Sequence, residues 1–212
     1  MIPADPPELQ NRRPLTSRST RWARSATAVL IRSGVSPNVI SMISVVFAAT
    51  GAALLLSPPH PLGLLATAAC IQLRLLCNLL DGMVAIEGKR QSATGALFNE
   101  IPDRVADSLF IVAVGYAIQM PWLGWLGALA AAVTAYIRVL GGSLGLPQDF
   151  RGPMAKPHRM AVLTAACVLG AAELWIAGSH WALVAAAWAV AIGSLITCVT
   201  RTAAIARQLR AR

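Results

Sequence analysis

The chain has 212 residues, 56% hydrophobic and only 13% charged, with a mean hydropathy of +0.61. Soluble domains carry about 25% charged residues, so this composition excludes an ordinary water-soluble globule, and the long apolar runs exclude a disordered chain. The formal charge of +9 would suit nucleic acid, but no soluble fold is present to carry a basic face. Membrane lipids are the expected surroundings, with no nucleic-acid partner.

Residues 1–17 hold four prolines and are predicted to form a flexible tail. The polar, basic lead does not resemble a cleavable signal. Over 18–34, Arg21, Arg24 and Arg32 interleave with Trp22, Ala26, Val29, Leu30 and Ile31, as in an amphipathic helix lying on a membrane surface. Gly34 would end that helix, and Ser36-Pro37 makes an N-cap and first-turn pair for the next element.

A helix crossing the hydrocarbon core needs about 20 apolar residues. Stretches 37–56, 63–85, 93–118, 122–144, 157–178 and 181–200 qualify, and their continuous Ala/Leu character argues against strands. The predicted fold is therefore an all-α integral membrane domain, residues 18–212, of six transmembrane helices preceded by the surface helix.

Basic residues set the expected topology. Arg12, Arg13, Arg18, Arg21, Arg24 and Arg32 precede span one, and Lys89 and Arg90 lie between spans two and three. Arg151, Lys156 and Arg159 lie between spans four and five, while Arg201, Arg207, Arg210 and Arg212 follow span six. The opposite loops contain none, which places both termini in the cytoplasm. Cys70, Cys77, Cys167 and Cys198 all fall inside spans at no metal-ligand spacing and are expected to be packing residues.

Charges inside the predicted spans are the exception. Arg74, Arg104 and Arg138 are joined by Asp81, Glu87, Glu100, Asp103 and Asp107. Charges at mid-bilayer cost about 2.5–3.5 kcal/mol each, so they must face a cavity or one another. Asn78, Asp81 and Ala85 fall on one helical stripe; so do Asn99, Asp103 and Asp107. The short loop between these helices predicts antiparallel neighbours whose oxygens converge near the cytoplasmic surface. Carboxylate and amide oxygens without Cys or His suit Mg²⁺ or Mn²⁺. Gly82 and Gly95 leave bare helix surface beside the acids.

The stretch Asn78-Leu-Leu-Asp81-Gly82-Met-Val-Ala85, followed by Gly95-Ala-Leu-Phe-Asn99-Glu-Ile-Pro-Asp103, resembles the CDP-alcohol phosphatidyltransferase signature D-x2-D-G-x2-A-R-x8-G-x3-D-x3-D. All spacings are kept, but the first and third aspartates are Asn78 and Asn99, and the arginine is Ile86. The resemblance implies metal ligands at Asn78, Asp81, Asn99 and Asp103, with Asp103 as the base that deprotonates an acceptor hydroxyl. It implies nucleotide contacts at Gly82, Ala85 and Gly95. It also implies transfer of a phosphatidyl group from CDP-diacylglycerol to a small hydroxyl acceptor, with CMP leaving, at the cytoplasmic face (of the inner membrane, if bacterial), and it allows a homodimer.

Arg138, Lys156 and Arg159 are candidates to hold a phosphate on the acceptor, such as a polyol phosphate; the alternative for the loop residues is topology and lipid headgroups. Arg74 could face a phosphate in place of the missing arginine or pair with Asp107. Two other functions stay open: phosphotransfer from a CDP-amino alcohol to a lipid alcohol, and a non-catalytic relative that binds lipid or nucleotide.

Overall fold

The computed structural model describes residues 20–90 and 92–212; the expected tail at 1–17 lies outside them. Seven helices run in order: α1 (Arg21–Arg32), α2 (Pro37–Leu56), α3 (Pro61–Glu87), α4 (Gly95–Ala117), α5 (Pro121–Ser143), α6 (Lys156–Ala177) and α7 (Trp181–Arg210). No strand occurs among the described residues. Local chemistry sets several boundaries. Ser36 Oγ accepts the Val39 amide at 3.3 Å, Pro37, Pro61 and Pro121 open their helices, and Gly34 leaves α1 at a φ of +78° that glycine adopts without strain.

α1 is short and lies against α3, burying Ala23 and Thr27 while Trp22 and Val29 remain exposed. The other six helices close into a ring in the order α2, α3, α6, α7, α5, α4 and back to α2. Five of them are long and apolar enough to cross a membrane. The sixth, α4, has 23 residues but carries Glu100, Asp103, Arg104 and Asp107 along its first half, which is why composition alone does not mark it. Two of the expected limits move. α3 extends to Glu87, and α7 continues to Arg210 rather than ending at 200, because Arg201 and Ala204 are buried and no helix breaker intervenes.

Small residues let these helices approach. Ala48, Ala106, Ala128, Ala131, Ala166 and Ala191 are in the core, and α4 crosses α5 where Gly115 meets Gly124. A Cβ on Gly115 would lie 2.6 Å from the Gly124 Cα, so neither position has room for a side chain. Cys70, Cys77 and Cys167 are buried free thiols, as packing residues are.

α3 and α4, expected to be direct neighbours, do not pack closely against each other; α3 lies between α2 and α6, and α4 between α2 and α5. The gap is filled by side chains. Arg74 and Asn78 reach across it from α3, and both bond to α4. Long polar side chains need that spacing, whereas the close crossings in this bundle use glycine and alanine.

Candidate active site

The polar side chains gather at one end of the ring, where the α3–α4 and α5–α6 connections and the end of α7 lie. From α3, the Asn78 Nδ2 donates to Asp103 Oδ1 at 2.6 Å. Because a carboxylate only accepts, the amide nitrogen faces Asp103, and the amide oxygen is left for another partner. One turn on, Asp81 Oδ2 accepts the Ser41 hydroxyl of α2 at 2.6 Å. Asp81 is 3% exposed and close enough to Asp103 and Lys156 for their charges to act on it. The two aspartates therefore share a site.

Asp103 is held on every side. Arg74 Nη2 donates to its Oδ1 and to its backbone oxygen, both at 3.2 Å, and to Asp107 Oδ1 at 2.6 Å. Lys156, the first residue of α6, pairs with Asp103 Oδ2, and Arg104 lies 3.6 Å from the same oxygen. Arg159, one turn along α6, donates to Asp107 Oδ2 at 2.9 Å and to the Met154 carbonyl at 2.8 Å. Arg74 is thus an ion-pair partner of Asp107 and Asp103. Asp103 and Asp107 are paired with Arg74, Lys156 and Arg159, while Asp81 makes no ion pair among the described residues and is held by Ser41. All are at least nine-tenths buried except Lys156, whose side chain keeps 24% exposure. Such pairs are stable only when each charge keeps its partner.

Beside this lies a second basic group. Arg138 Nη2 bonds Glu100 Oε1 at 2.6 Å, its Nη1 bonds Gln148, and its guanidinium stands 5.6 Å over the Phe150 ring. Arg201 donates from Nε to the Arg151 carbonyl and from Nη1 to the Thr134 carbonyl, each at 2.8 Å. The charges of Arg138, Arg159 and Asp149 all act on it. The segment 144–155 folds over this region, with the Met154 amide on Thr197 Oγ1 at 3.0 Å.

The structure thus unites Asn78, Asp81, Asp103 and Lys156, with Arg159 behind them and Arg138 at the edge. Gly82 and Ala85 are half-buried along the stripe of Asp81, and a Cβ on Gly95 would meet only Ser92 Oγ, at 3.5 Å. Asn99 is exposed one turn before Asp103, and Glu87 is exposed at the end of α3. Ser41 and Arg201 had escaped the sequence reading. A serine inside an apolar span carries no pattern, and Arg201 counted only as a charge after the last span.

Six helices in a ring, with buried acids and cations gathered at one end, make a membrane bundle with a charged site. Residues 34–200 match the CDP-alcohol phosphatidyltransferase family, and the chain belongs to it; it is an integral membrane enzyme of phospholipid biosynthesis. The chain is 30% identical over 200 residues to the phosphatidylinositol phosphate synthase of Streptomyces avermitilis, covering 89% of this chain and 80% of that one. It is also 30% identical over 192 residues to the archaetidylinositol phosphate synthase of Aeropyrum pernix, covering 90% and 93%. The fold is shared with the crystal structure of Mycobacterium tuberculosis phosphatidylinositol phosphate synthase with CDP-DAG bound. The TM-score is 0.73 at 23% identity, over 88% of this chain and 94% of that one. A second structure of that protein, in complex with manganese and citrate, has the same TM-score at 22% identity, over 86% and 88%.

The donors at the site can be weighed against a divalent ion. Among the described residues no three His, Cys, Asp or Glu side chains form a metal-binding group. Two carboxylates, Asp81 and Asp103, and one amide, Asn78, converge. Mg²⁺ commonly takes one or two carboxylates and completes its shell with substrate phosphates and water. The residues fit one such ion shared with a diphosphate.

Proposed function

We propose that the protein transfers the phosphatidyl group of CDP-diacylglycerol to a hydroxyl of a polyol phosphate, releasing CMP, at the cytoplasmic face of the membrane. The observation that carries this reading is the convergence of Asn78, Asp81 and Asp103 beside a separate basic group. One set is suited to a cation and diphosphate, the other to an acceptor's phosphate. The names of the Streptomyces and Aeropyrum relatives favour an inositol phosphate as the first acceptor to try.

Asn78, Asp81 and Asp103 would hold the ion, with Asn99 adding an amide oxygen from the same stripe as Asp103. Mg²⁺ or Mn²⁺ there would neutralise the diphosphate and the departing CMP oxygen. Asp103 Oδ2 takes the proton of the acceptor hydroxyl. The hydroxyl oxygen forms its bond to the β-phosphorus as the bond from that phosphorus to the CMP oxygen breaks. Arg74 and Asn78 fix Oδ1 and so aim Oδ2. Gly82, Ala85 and Gly95 provide the flat surface for the nucleotide. Arg138, together with Arg201, is suited to the acceptor phosphate through charge-assisted hydrogen bonds. Lys156 and Arg159, also candidates for that role, are engaged with the buried Asp103 and Asp107, whereas the partners of Arg138 are the more exposed Glu100 and Gln148, so the acceptor reading rests mainly on Arg138. Residues 18–212 would act as one domain with both termini in the cytoplasm.

A second reading, a relative that binds CDP-lipid without transferring it, is favoured by one observation: both oxygens of Asp103 already have partners. The test is purified protein in nanodiscs with CDP-diacylglycerol, Mg²⁺ or Mn²⁺, and a panel of polyol phosphates. CMP release with one acceptor, abolished by Asp103→Asn and with an acceptor KM raised at least tenfold by Arg138→Ala, supports transfer. CDP-lipid raising the melting temperature with no CMP from any acceptor supports the binding relative.

A further inference from the structure

Lys156 differs from the two buried arginines at the site, while Arg104, 3.6 Å from the same Asp103 oxygen, is shared with Glu100. Arg74 bonds two acids and is fully buried, and Arg159 is 1% exposed with bonds to Asp107 and the Met154 carbonyl. Lys156 makes its hydrogen bond to a single atom, Asp103 Oδ2, and does so from the open side. Its own helix does not hold it there. Lys156 is at the first position of α6, a 22-residue helix with no acid in its first turn, and a helix N-terminus repels a cation while favouring an anion. A four-carbon stem also gives its ammonium freedom that a bidentate guanidinium lacks.

The oxygen that Lys156 covers is the one left for chemistry. Oδ1 faces inward to Arg74 and Asn78, so Oδ2 is the atom that can meet a metal ion or take a proton. With Lys156 in place, the buried acids Asp81, Asp103 and Asp107 face Arg74, Lys156 and Arg159, with Arg104 shared between Asp103 and Glu100, and the site has no net negative charge with which to attract a dication. With the ammonium withdrawn, one cation fewer opposes the acids and Oδ2 loses its hydrogen bond, leaving Arg104 at 3.6 Å and shared with Glu100.

We infer that Lys156 is a displaceable counterion: it occupies Asp103 Oδ2 in the ligand-free protein, excludes a divalent ion from that oxygen, and passes to a phosphate of the incoming CDP-lipid. The anion then sits at the N-terminus of α6, where the helix favours it, and Asp103 is released to ion and acceptor together. Loading of the ion is thereby coupled to loading of the nucleotide lipid. This inference rests on the divalent-ion reading above.

The experiment titrates Mn²⁺ into full-length protein in nanodiscs without CDP-lipid and measures free Mn²⁺ by electron paramagnetic resonance. Wild type is compared with Lys156→Met, Lys156→Gln, Lys156→Arg and Asp103→Asn. Two neutral variants are used so that one failing to fold, as judged by gel filtration and thermal unfolding, does not decide the result. Both neutral variants, or whichever of them folds, should bind Mn²⁺ at least tenfold more tightly than wild type, with Lys156→Arg close to wild type and Asp103→Asn weaker. Equal affinities in wild type and the neutral variants, with Asp103→Asn weaker, overturn the inference and leave the ion reading standing. No saturable binding in any of the proteins overturns both.

Discussion

Asn78 on α3 donates its amide to Asp103 Oδ1 on α4 at 2.6 Å, tying together two helices that do not pack closely. A carboxylate at 78 would face another at hydrogen-bonding distance, and like charges so close are costly when partly buried.

Asn78→Asp is expected to lower the melting temperature of the ion-free protein and to make it depend on Mn²⁺. Saturating Mn²⁺ should raise the variant's melting temperature by more than it raises that of wild type. A variant indifferent to Mn²⁺ would show that residue 78 is no ligand.

Asp107 sits between Arg74 and Arg159, at 2.6 and 2.9 Å. Asp107→Asn leaves Arg74 with Asp103 and leaves the buried Arg159 with no carboxylate partner. Removing one member of such a buried pair costs about 3–5 kcal/mol. The expected result is a large loss of thermal stability in detergent, whether or not CDP-lipid is present. A melting temperature close to wild type would mean that water reaches these arginines.

Gly115→Ala tests the α4–α5 crossing. Its Cβ would meet the Gly124 backbone at 2.6 and 2.7 Å, atoms that cannot rotate aside, so the helices must separate. Overpacking of this kind costs about 1–3 kcal/mol. Gly63→Ala, where nothing lies within 4 Å, should leave the melting temperature unchanged. Equal effects at the two glycines would refute the close approach.

Much of this architecture was legible in the residues themselves. Runs of apolar sequence long enough to span a bilayer gave the six long helices, and Ser36, Pro37 and Gly34 gave the break between α1 and α2. Helical spacing aligns Asn78 with Asp81 along one stripe and Asp103 with Asp107 along another, but the stripes meet through side chains that reach across a gap and not between packed neighbours. Three things depended on packing and were not legible. The ring order places α2 and α6 beside α3, and no local pattern encodes it. Lys156 and Arg159 look like loop charges until α6 is seen to begin at Lys156, which points both at the acids of α4. The last helix was cut short at its first arginine, although Arg201 is buried and the helix runs on.

The pairing of Asp103 and Asp107 also bears on how the chain enters the bilayer. During synthesis α4 emerges with three carboxylates and one arginine in its first half, which the hydrocarbon would reject from an isolated segment. Arg74, made earlier, neutralises part of that burden. Lys156 and Arg159 do not exist until roughly fifty residues later. α4 must therefore wait beside the insertion machinery, or cross while still wet, until α6 arrives to complete its neutralisation. The contacts that hold the acids thus leave α4 incompletely neutralised until α6 has been made.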